Sequence, residues 1–353
     1  MYRLCLIVFI HRKEVGSMKN NIQFQSPFAQ YMTNYIKEKE SLGFKSLEIK
    51  YILADIDRFL YSAGAEVIDE PNFNAWISTR INDSEETLRR KYMAMANFCK
   101  YLSYMGVTCY IPKVPRIKKK NFTPTIFTKN QIEAIFNSCD NMCTKSKMPK
   151  SIIIILPTIV RLLYSTGIRI SEALSLKNKD LHLDDNYIVL NQTKNKTQRL
   201  IPINLTMKVV LEQYLRYRNQ IPIVDISAPN GYLFVSLLGA KCSRESLLHY
   251  FHKILHNAGV PRYNSQLGPR LHDLRHTCAV HSLIKANQSG CDLYNYLPYL
   301  SVFLGHKNIY STEKYLRLSA EVYPEITMNN SELNDLYSNV ISSHYENDKT
   351  INH

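Results

Sequence analysis

Between residues 27 and 106 the apolar positions recur every three or four residues, the period of helices that bury one face. "PFAQYMTNYIKEKESLG" opens at Pro27 and closes at Gly43, a start and a stop that suit a helix. "SLEIKYILADIDRFLYSAG" runs from Ser46 to Gly64 with Ile52, Ile56, Phe59 and Leu60 at helical spacing. "SEETLRRKYMAMANFCKYLSYMG" begins with acids, ends at Gly106 and aligns Leu88, Met95, Phe98, Leu102 and Met105. The pattern stops at "IPKVPRIKKKNFTPT", 111–125, where three prolines keep the chain extended. A longer patterned region follows. "FTKNQIEAIFNSCD" predicts a helix capped by Thr128, and "SIIIILPTIVRLLYSTG" is apolar nearly all round, as a buried helix is. The β-rich runs "YIVL" (187–190) and "RLIPI" (199–203) flank the polar "NQTKNKTQ" and predict a hairpin. Helical patterns resume over 206–219, 243–258, 272–287 and 293–304.

This order predicts a mainly α protein in two folded parts. Residues 27–110 form a helical domain, 111–125 a basic linker, and 126–325 an α-rich domain with a small antiparallel sheet. In the tail, 326–353, Leu333, Leu336, Tyr337, Val340 and Ile341 form one helical stripe. That stripe suits a helix folded onto its own domain and equally one docked on a neighbouring protomer. Residues 1–26 read as an extension. Its apolar run Leu4–Ile10 is far too short to span a membrane, and His11, Arg12, Lys13 and Glu14 follow instead of a cleavage site. Met18 offers an alternative start to Met1.

Charge narrows the partner. The 353 residues carry 44 Lys+Arg against 30 Asp+Glu, a net +14, which calls for a polyanion. With no other stretch able to span a membrane, double-stranded DNA or another nucleic acid is favoured. Arg89, Arg90, Lys91 and Lys100 lie on the last helix of the first domain, where a solvated face is the commoner reason for charge. Lys113, Arg116, Lys118, Lys119 and Lys120 can run along phosphates from the linker. The eight cysteines are scattered, as reduced cytosolic thiols are. Cys139 and Cys143 would be half a zinc site, but no second pair stands at ligand spacing.

Three clusters could carry chemistry. In "YSTGIRISEALSL", Arg169 follows the helix-breaking Gly167, and Glu172 shares its face three residues on. The pair suits a structural ion pair, or an Arg aimed by its acid at two phosphate oxygens. In "LHDLRHTCAVHSL", His272 and Arg275 stand three apart, and His272 and His276 four apart. The His pair has zinc spacing, yet Asp273 stands where a metalloprotease carries Glu, and Arg275 would repel the cation. Otherwise His272 and Arg275 face a transferring phosphate together. The third cluster is Lys194 in the hairpin turn, with Lys196 and Arg199 close by. The set has no carboxylate group of the kind that holds catalytic divalent ions and no phosphate-binding P-loop. Metal-free phosphoryl transfer by cationic side chains fits it.

The segments "TGIRISEALSL", "TKNKTQRLIPI", "HDLRHT" and "LGHKNIYSTEKYL" occur together, in order, in a sequence that resembles the tyrosine recombinase (phage integrase) family over about 27–325. The resemblance implies a helical core-binding domain and a catalytic domain that clamp DNA between them. It implies Arg169 and Arg275 on the non-bridging oxygens, Glu172 in support, and Lys194 protonating the leaving 5′-oxygen, with Lys196 as a lesser alternative. His272 helps as acid/base, His306 hydrogen-bonds the phosphate, and Tyr315 attacks it to form a 3′-phosphotyrosyl bond. Tyr310, in the same stretch, lacks a family counterpart. No metal, cofactor or ATP is implied. The implied assembly is a homo-oligomer on DNA, a tetrameric synapse with C-terminal helix exchange, with accessory recombinases as further partners and a cytoplasmic, nucleoid-associated location. The turn around Lys194 departs from the family in carrying Thr193 and Asn195 where many relatives carry glycines. The stretch between Arg275 and His306 is longer than in compact relatives, and no arm-binding domain precedes residue 27, which points to a compact Xer-like or transposon-borne member. The same fold also serves type IB topoisomerases and DNA-binding proteins that have lost catalysis. The full set of Arg, His and Tyr residues speaks against the latter.

Overall fold

The computed structural model describes residues 22–44, 46–117, 123–142, 152–191, 198–261 and 268–322. Contacts divide the chain into two compact units, Met1–Asn121 and Phe122–His353. The first holds α1 (Ala29–Ser41), α2 (Leu47–Ser62), α3 (Glu70–Ser78) and α4 (Glu85–Tyr104) around a core that includes Met32, Leu53, Ile56, Phe73, Trp76 and Phe98. Periodicity predicts α1, α2 and α4. The nine-residue α3 is too short to show a stripe; its signals are local, an Asp69 cap that accepts the Asn72 N–H at 2.9 Å and a proline in the first turn.

The basic residues of this unit divide by their partners. Lys91 is an internal tie, bonded to Asp55 at 3.1 Å and Asp83 at 2.9 Å. Arg90 is half exposed and pairs with Glu48 at 2.8 Å. Arg89 is half-buried, whereas Lys100, Lys113 and Arg116 are exposed. Lys118, Lys119 and Lys120 lie outside the described residues.

The second unit begins with α5 (Lys129–Asp140), whose Thr128 cap accepts the Gln131 N–H while the Gln131 side chain accepts that of Thr128. The long apolar run that follows is not one helix. A 3-10 turn, Ile153–Ile155, leads into α6 (Leu156–Thr166), with Pro157 in the first turn, where a missing N–H costs nothing. After α7 (Ile170–Ala173) come β1 (Leu181–His182), β2 (Tyr187–Leu190) and β3 (Arg199–Pro202), an antiparallel sheet in that order. Ile188 pairs with Ile201 and Leu190 with Arg199. β1 has two residues, too few for alternation to reveal. The hairpin turn with Lys194 and Lys196 lies outside the described residues, as does the tail stripe from Leu333 to Ile341.

Five helices complete the unit: α8 (Leu205–Arg218), α9 (Arg244–Asn257), α10 (Leu271–Gln288), α11 (Leu293–Leu304) and α12 (Tyr310–Val322). One core packs α5, α6, α8, α9 and the sheet around Ile159, Leu162, Ile188, Ile201 and Phe251. Another packs α10, α11 and α12 around Leu283, Leu297, Leu304, Tyr315 and Leu316. The two meet at Gly167, the left-handed end of α6 at φ +58°. A Cβ there would stand 2.8 Å from Leu304 Cδ2 and 3.3 Å from Cys278 Sγ, so glycine lets α6 close on α10 and the end of α11. Among the described residues no helix is long and apolar enough to cross a membrane.

Candidate active site

Glu172 is the fixed point of the site. It is 1% exposed and its carboxylate is surrounded by donors. Oε2 accepts the Arg169 backbone N–H at 2.9 Å, and Oε1 accepts Arg169 Nη1 at 2.9 Å. Arg199 reaches the same carboxylate from β3, Nη2 to Oε2 at 2.8 Å and Nη1 to Oε1 at 3.2 Å. Burial pushes this carboxyl's pKa up, and the bonds from Arg199 and Arg169 more than offset it, leaving it below its ordinary value. Glu172 therefore stabilises the fold fully above the ordinary carboxyl range near pH ~4.5, and that contribution fades as pH falls towards the lower folded value. Glu172→Gln should cost about 3–5 kcal/mol at pH 7, measured by urea unfolding, because it leaves two arginines near an uncharged partner. The gap between variant and wild type should narrow at pH 4; a gap that stays constant sinks this account.

Arg169 and Arg199 also shape the turn after α11. Arg169 Nη2 donates to the Gly305 carbonyl at 3.0 Å. Gly305 adopts φ +67°, and a Cβ on it would stand 2.6 Å from Arg199 Nη1. Glycine is needed there for its backbone conformation and for the guanidinium packed against it. His306 follows at once, its Nδ1 2.8 Å from the hydroxyl of buried Thr312 on α12.

α10 brings the next groups. Asp273, fully buried, accepts the Arg270 backbone N–H at 2.9 Å, the same device that starts α7. Arg275 is 3% exposed and ties two turns together: Nη1 donates to the Gly167 carbonyl at 2.6 Å and Nη2 to the Leu304 carbonyl at 2.7 Å. Burial, then the charge of Arg169, lowers its pKa to about 10, still cationic at neutral pH. His272, one turn earlier, has an edge open to solvent. The protein around it and the charges of Arg275, Arg270, Lys314 and Arg169 lower its pKa to about 4.

Tyr315 of α12 sits inside this group at 1% exposure. Its hydroxyl is 2.8 Å from His276 Nδ1, its ring stacks on His306 at 6.0 Å, and Lys314 Nζ lies 5.2 Å from its ring centre. Burial raises the phenol's pKa to about 12 against the pull of Arg275. His276 itself is 5% exposed, with its ring 4.8 Å from that of His272. Burial and the neighbouring cations lower His276 and His306 to about 3, so both are neutral at working pH. The site is a cluster of cations and neutral imidazoles around a buried, neutral phenol. Among the described residues, no group of three His, Cys, Asp or Glu could hold a metal.

The sequence profile of the phage integrase family matches residues 125–321, more than half of the chain. The chain belongs to the phage integrase family. A Sinorhizobium fredii protein, y4rB, named as an integrase/recombinase, is 28% identical over 85% of this chain and 96% of its own length. Tyrosine recombinase XerC of Staphylococcus aureus (strain MSSA476) is 27% identical over 69% of this chain and 74% of its own. In fold, the chain is similar to XerH site-specific recombinase bound to difH substrate (TM-score 0.59, 20% identity, 83% of each chain). It is also similar to a lambda integrase dimer bound to a COC' core site (TM-score 0.55, 17% identity, 79% of this chain, 95% of that one).

Of the site residues expected in this phage integrase sequence, Arg169, Glu172, His272, Arg275, His306 and Tyr315 stand together, carried by α7, α10, α12 and the turn after α11. Lys194 lies outside the described residues. Three further groups join them. Arg199 could have been found by alternation: it shares a strand face with buried Ile201 and Ile203, and an inward arginine needs an acid. His276 lies one turn beyond His272 on the same helix face, the signal that also suggests zinc. Lys314 had no signal beyond its place beside Tyr315.

Proposed function

We propose that this chain is a site-specific DNA recombinase of the integrase or transposase type, which cuts and rejoins strands through a 3′-phosphotyrosyl intermediate. The observation that carries the reading is that Arg169, His272, Arg275, His306 and Tyr315, drawn from four separate segments, gather in one cluster, with Arg275 and Arg169 beside the Tyr315 hydroxyl and His306 stacked on its ring. Two arginines held by a carboxylate and by backbone carbonyls are positioned in advance for a charge that grows during reaction. In this reading the Tyr315 oxygen bonds to the scissile phosphorus and the bond to the 5′-oxygen breaks. Arg169 and Arg275 neutralise the non-bridging oxygens, His272 helps as acid/base, and His306, neutral, hydrogen-bonds the phosphate. Lys194 gives a proton to the leaving 5′-oxygen. A 5′-hydroxyl from a partner strand then attacks the phosphotyrosyl bond and frees the tyrosine. The covalent link keeps the bond energy, so no ATP is required.

DNA is the expected partner, supported by the net +14 charge and by relatives of this fold solved on DNA. We assign 27–110 to core binding, 111–125 to a phosphate-tracking linker and 126–325 to catalysis. Arg89, Arg90, Lys113 and Arg116 are assigned to phosphate contact, with Lys118, Lys119 and Lys120. Assembly as a tetrameric synapse with tail exchange, and action at the nucleoid, belong to the same proposal.

The test is a panel of nicked suicide duplexes drawn from the DNA flanking the gene. The expected result is a covalent protein–DNA adduct on specific duplexes, unchanged in rate by EDTA, because the proposed charge stabilisation comes from side chains. An adduct that EDTA abolishes and magnesium restores contradicts the mechanism. Relaxation of supercoiled plasmid irrespective of sequence favours the topoisomerase reading instead.

A further inference from the structure

We infer that His276 is a catalytic residue, the group that takes the phenol proton of Tyr315 as it attacks. The inference rests on the recombinase reading above, and it changes which histidine does the proton chemistry of attack. The sequence points to His272 for acid/base help, because His272 carries the family spacing. Among the described residues, however, no hydrogen bond joins His272 to the Tyr315 hydroxyl, whereas His276 Nδ1 is 2.8 Å from it. A general base is chosen first by reach to the proton it removes.

The surroundings decide the direction of that bond. A phenol has one proton to give and lone pairs to receive. The charged groups that face the pair are Arg275 and Arg270 from α10 and its start, Lys314 from α12, and Arg169 from the turn before α7. Arginine and lysine only donate hydrogen bonds. The phenol oxygen is therefore best used as an acceptor on the cationic side, with its proton directed to the remaining acceptor, His276 Nδ1. His276 is then the Nε2–H tautomer. The same cations and burial keep the imidazole neutral, so the Nδ1 lone pair is free at working pH. Two near-buried partners, at 1% and 5% exposure, leave little room for water to serve in its place.

The proton account closes. As the Tyr315 oxygen–phosphorus bond forms, the phenol proton passes to Nδ1. As the phosphorus–5′-oxygen bond breaks, the leaving oxygen takes its proton from Lys194. When a 5′-hydroxyl attacks in the second step, its proton returns to the Lys194 amine, and the tyrosine oxygen leaves and recovers the proton held on His276. An entering phosphate monoanion also brings the negative charge that makes an imidazolium tolerable among these cations. His272, with its solvent-open edge, is left to the phosphate.

The test uses the full chain and the duplex on which wild type forms its adduct. His276→Ala should slow single-turnover adduct formation about 10²-fold, the usual range for a lost general base, with DNA binding retained. Added imidazole should restore part of the rate. His276→Asn places an acceptor close to the Nδ1 position but cannot hold a proton at neutral pH, so it should remain slow. A wild-type rate in His276→Ala overturns the inference, and so does full recovery in His276→Asn, which would make the residue an orienting group only. On unmutated protein, 15N-histidine spectra assigned with the Asn variant should show His276 protonated on Nε2. Protonation on Nδ1 overturns the assignment even if the Ala variant fails to fold. Absence of any wild-type adduct counts against the recombinase reading, whereas normal adducts in the variants count against His276 alone.

Discussion

Tyr315→Phe should form no covalent adduct with DNA while folding and binding DNA as wild type does. The ring would keep its stack on His306 and its place in the core of α10, α11 and α12, so the substitution removes one atom and little packing. It does leave His276 Nδ1 without its phenol partner, a cost of about 1–3 kcal/mol for a near-buried polar group. The melting temperature should therefore drop by only a few degrees. Loss of the adduct should be complete, because among the described residues no other hydroxyl is hydrogen-bonded to His276. The raised pKa sharpens the point: near 12, only about one phenol in 10⁵ is ionised at pH 7, so deprotonation has to accompany attack. Tyr310→Phe is the matched control. Tyr310 is 73% exposed at the start of α12, and its variant should cleave normally. A persistent adduct in Tyr315→Phe, or a lost one in Tyr310→Phe, would move the nucleophile elsewhere.

The contrast between those tyrosines shows what the chain's pattern could and could not reveal. Helices α1, α2, α4, α5, α8, α9 and α11 were legible because each buries one stripe, while α10, buried nearly all round, showed as a helical run between its start and Gly290. α3 and β1 were not, being too short for a period to repeat. Arg169, Glu172, His272 and Arg275 could be picked out because charged groups at helix starts beside apolar runs are costly unless used or paired. The second role of Glu172 was hidden: its bond to Arg199 spans 27 residues of sequence, and only the hairpin brings the strand back to it. Gly305 shows the same limit. Its glycine reads as a helix stop, but the need for it also comes from the Arg199 guanidinium packed on its Cα. His276 was visible as one of a spaced pair, yet its partner is 39 residues away on α12. Local patterns disclose which residues are expensive; long-range contacts disclose what each one serves.

Those long-range contacts also link the site to the fold, which shapes the expected result for Arg275→Ala. Its guanidinium joins the end of α6 to the end of α11 through the Gly167 and Leu304 carbonyls, at 2.6 and 2.7 Å, and also lies beside the Tyr315 hydroxyl. Removal should reduce the cleavage rate by about 10²–10³-fold, the range for one lost donor to a developing oxyanion. It should also lower stability, since each stranded carbonyl costs about 1–3 kcal/mol. Arg275→Lys should recover little, because one ammonium cannot span two carbonyls and still face a phosphate as a planar fork does. The two effects separate by measurement: gel-shift affinity and urea midpoints report the fold, and single-turnover adduct formation reports the chemistry. Arg169→Ala serves where the Arg275 variants prove too unstable. Arg169 is 19% exposed and Glu172 would keep its Arg199 partner, so the fold should tolerate the change better. Its cleavage should still fall about 10²-fold or more, with DNA affinity changed far less. Full cleavage by folded Arg169→Ala and Arg275→Ala would refute the role of these arginines in the transition state and leave them as ties between helix ends.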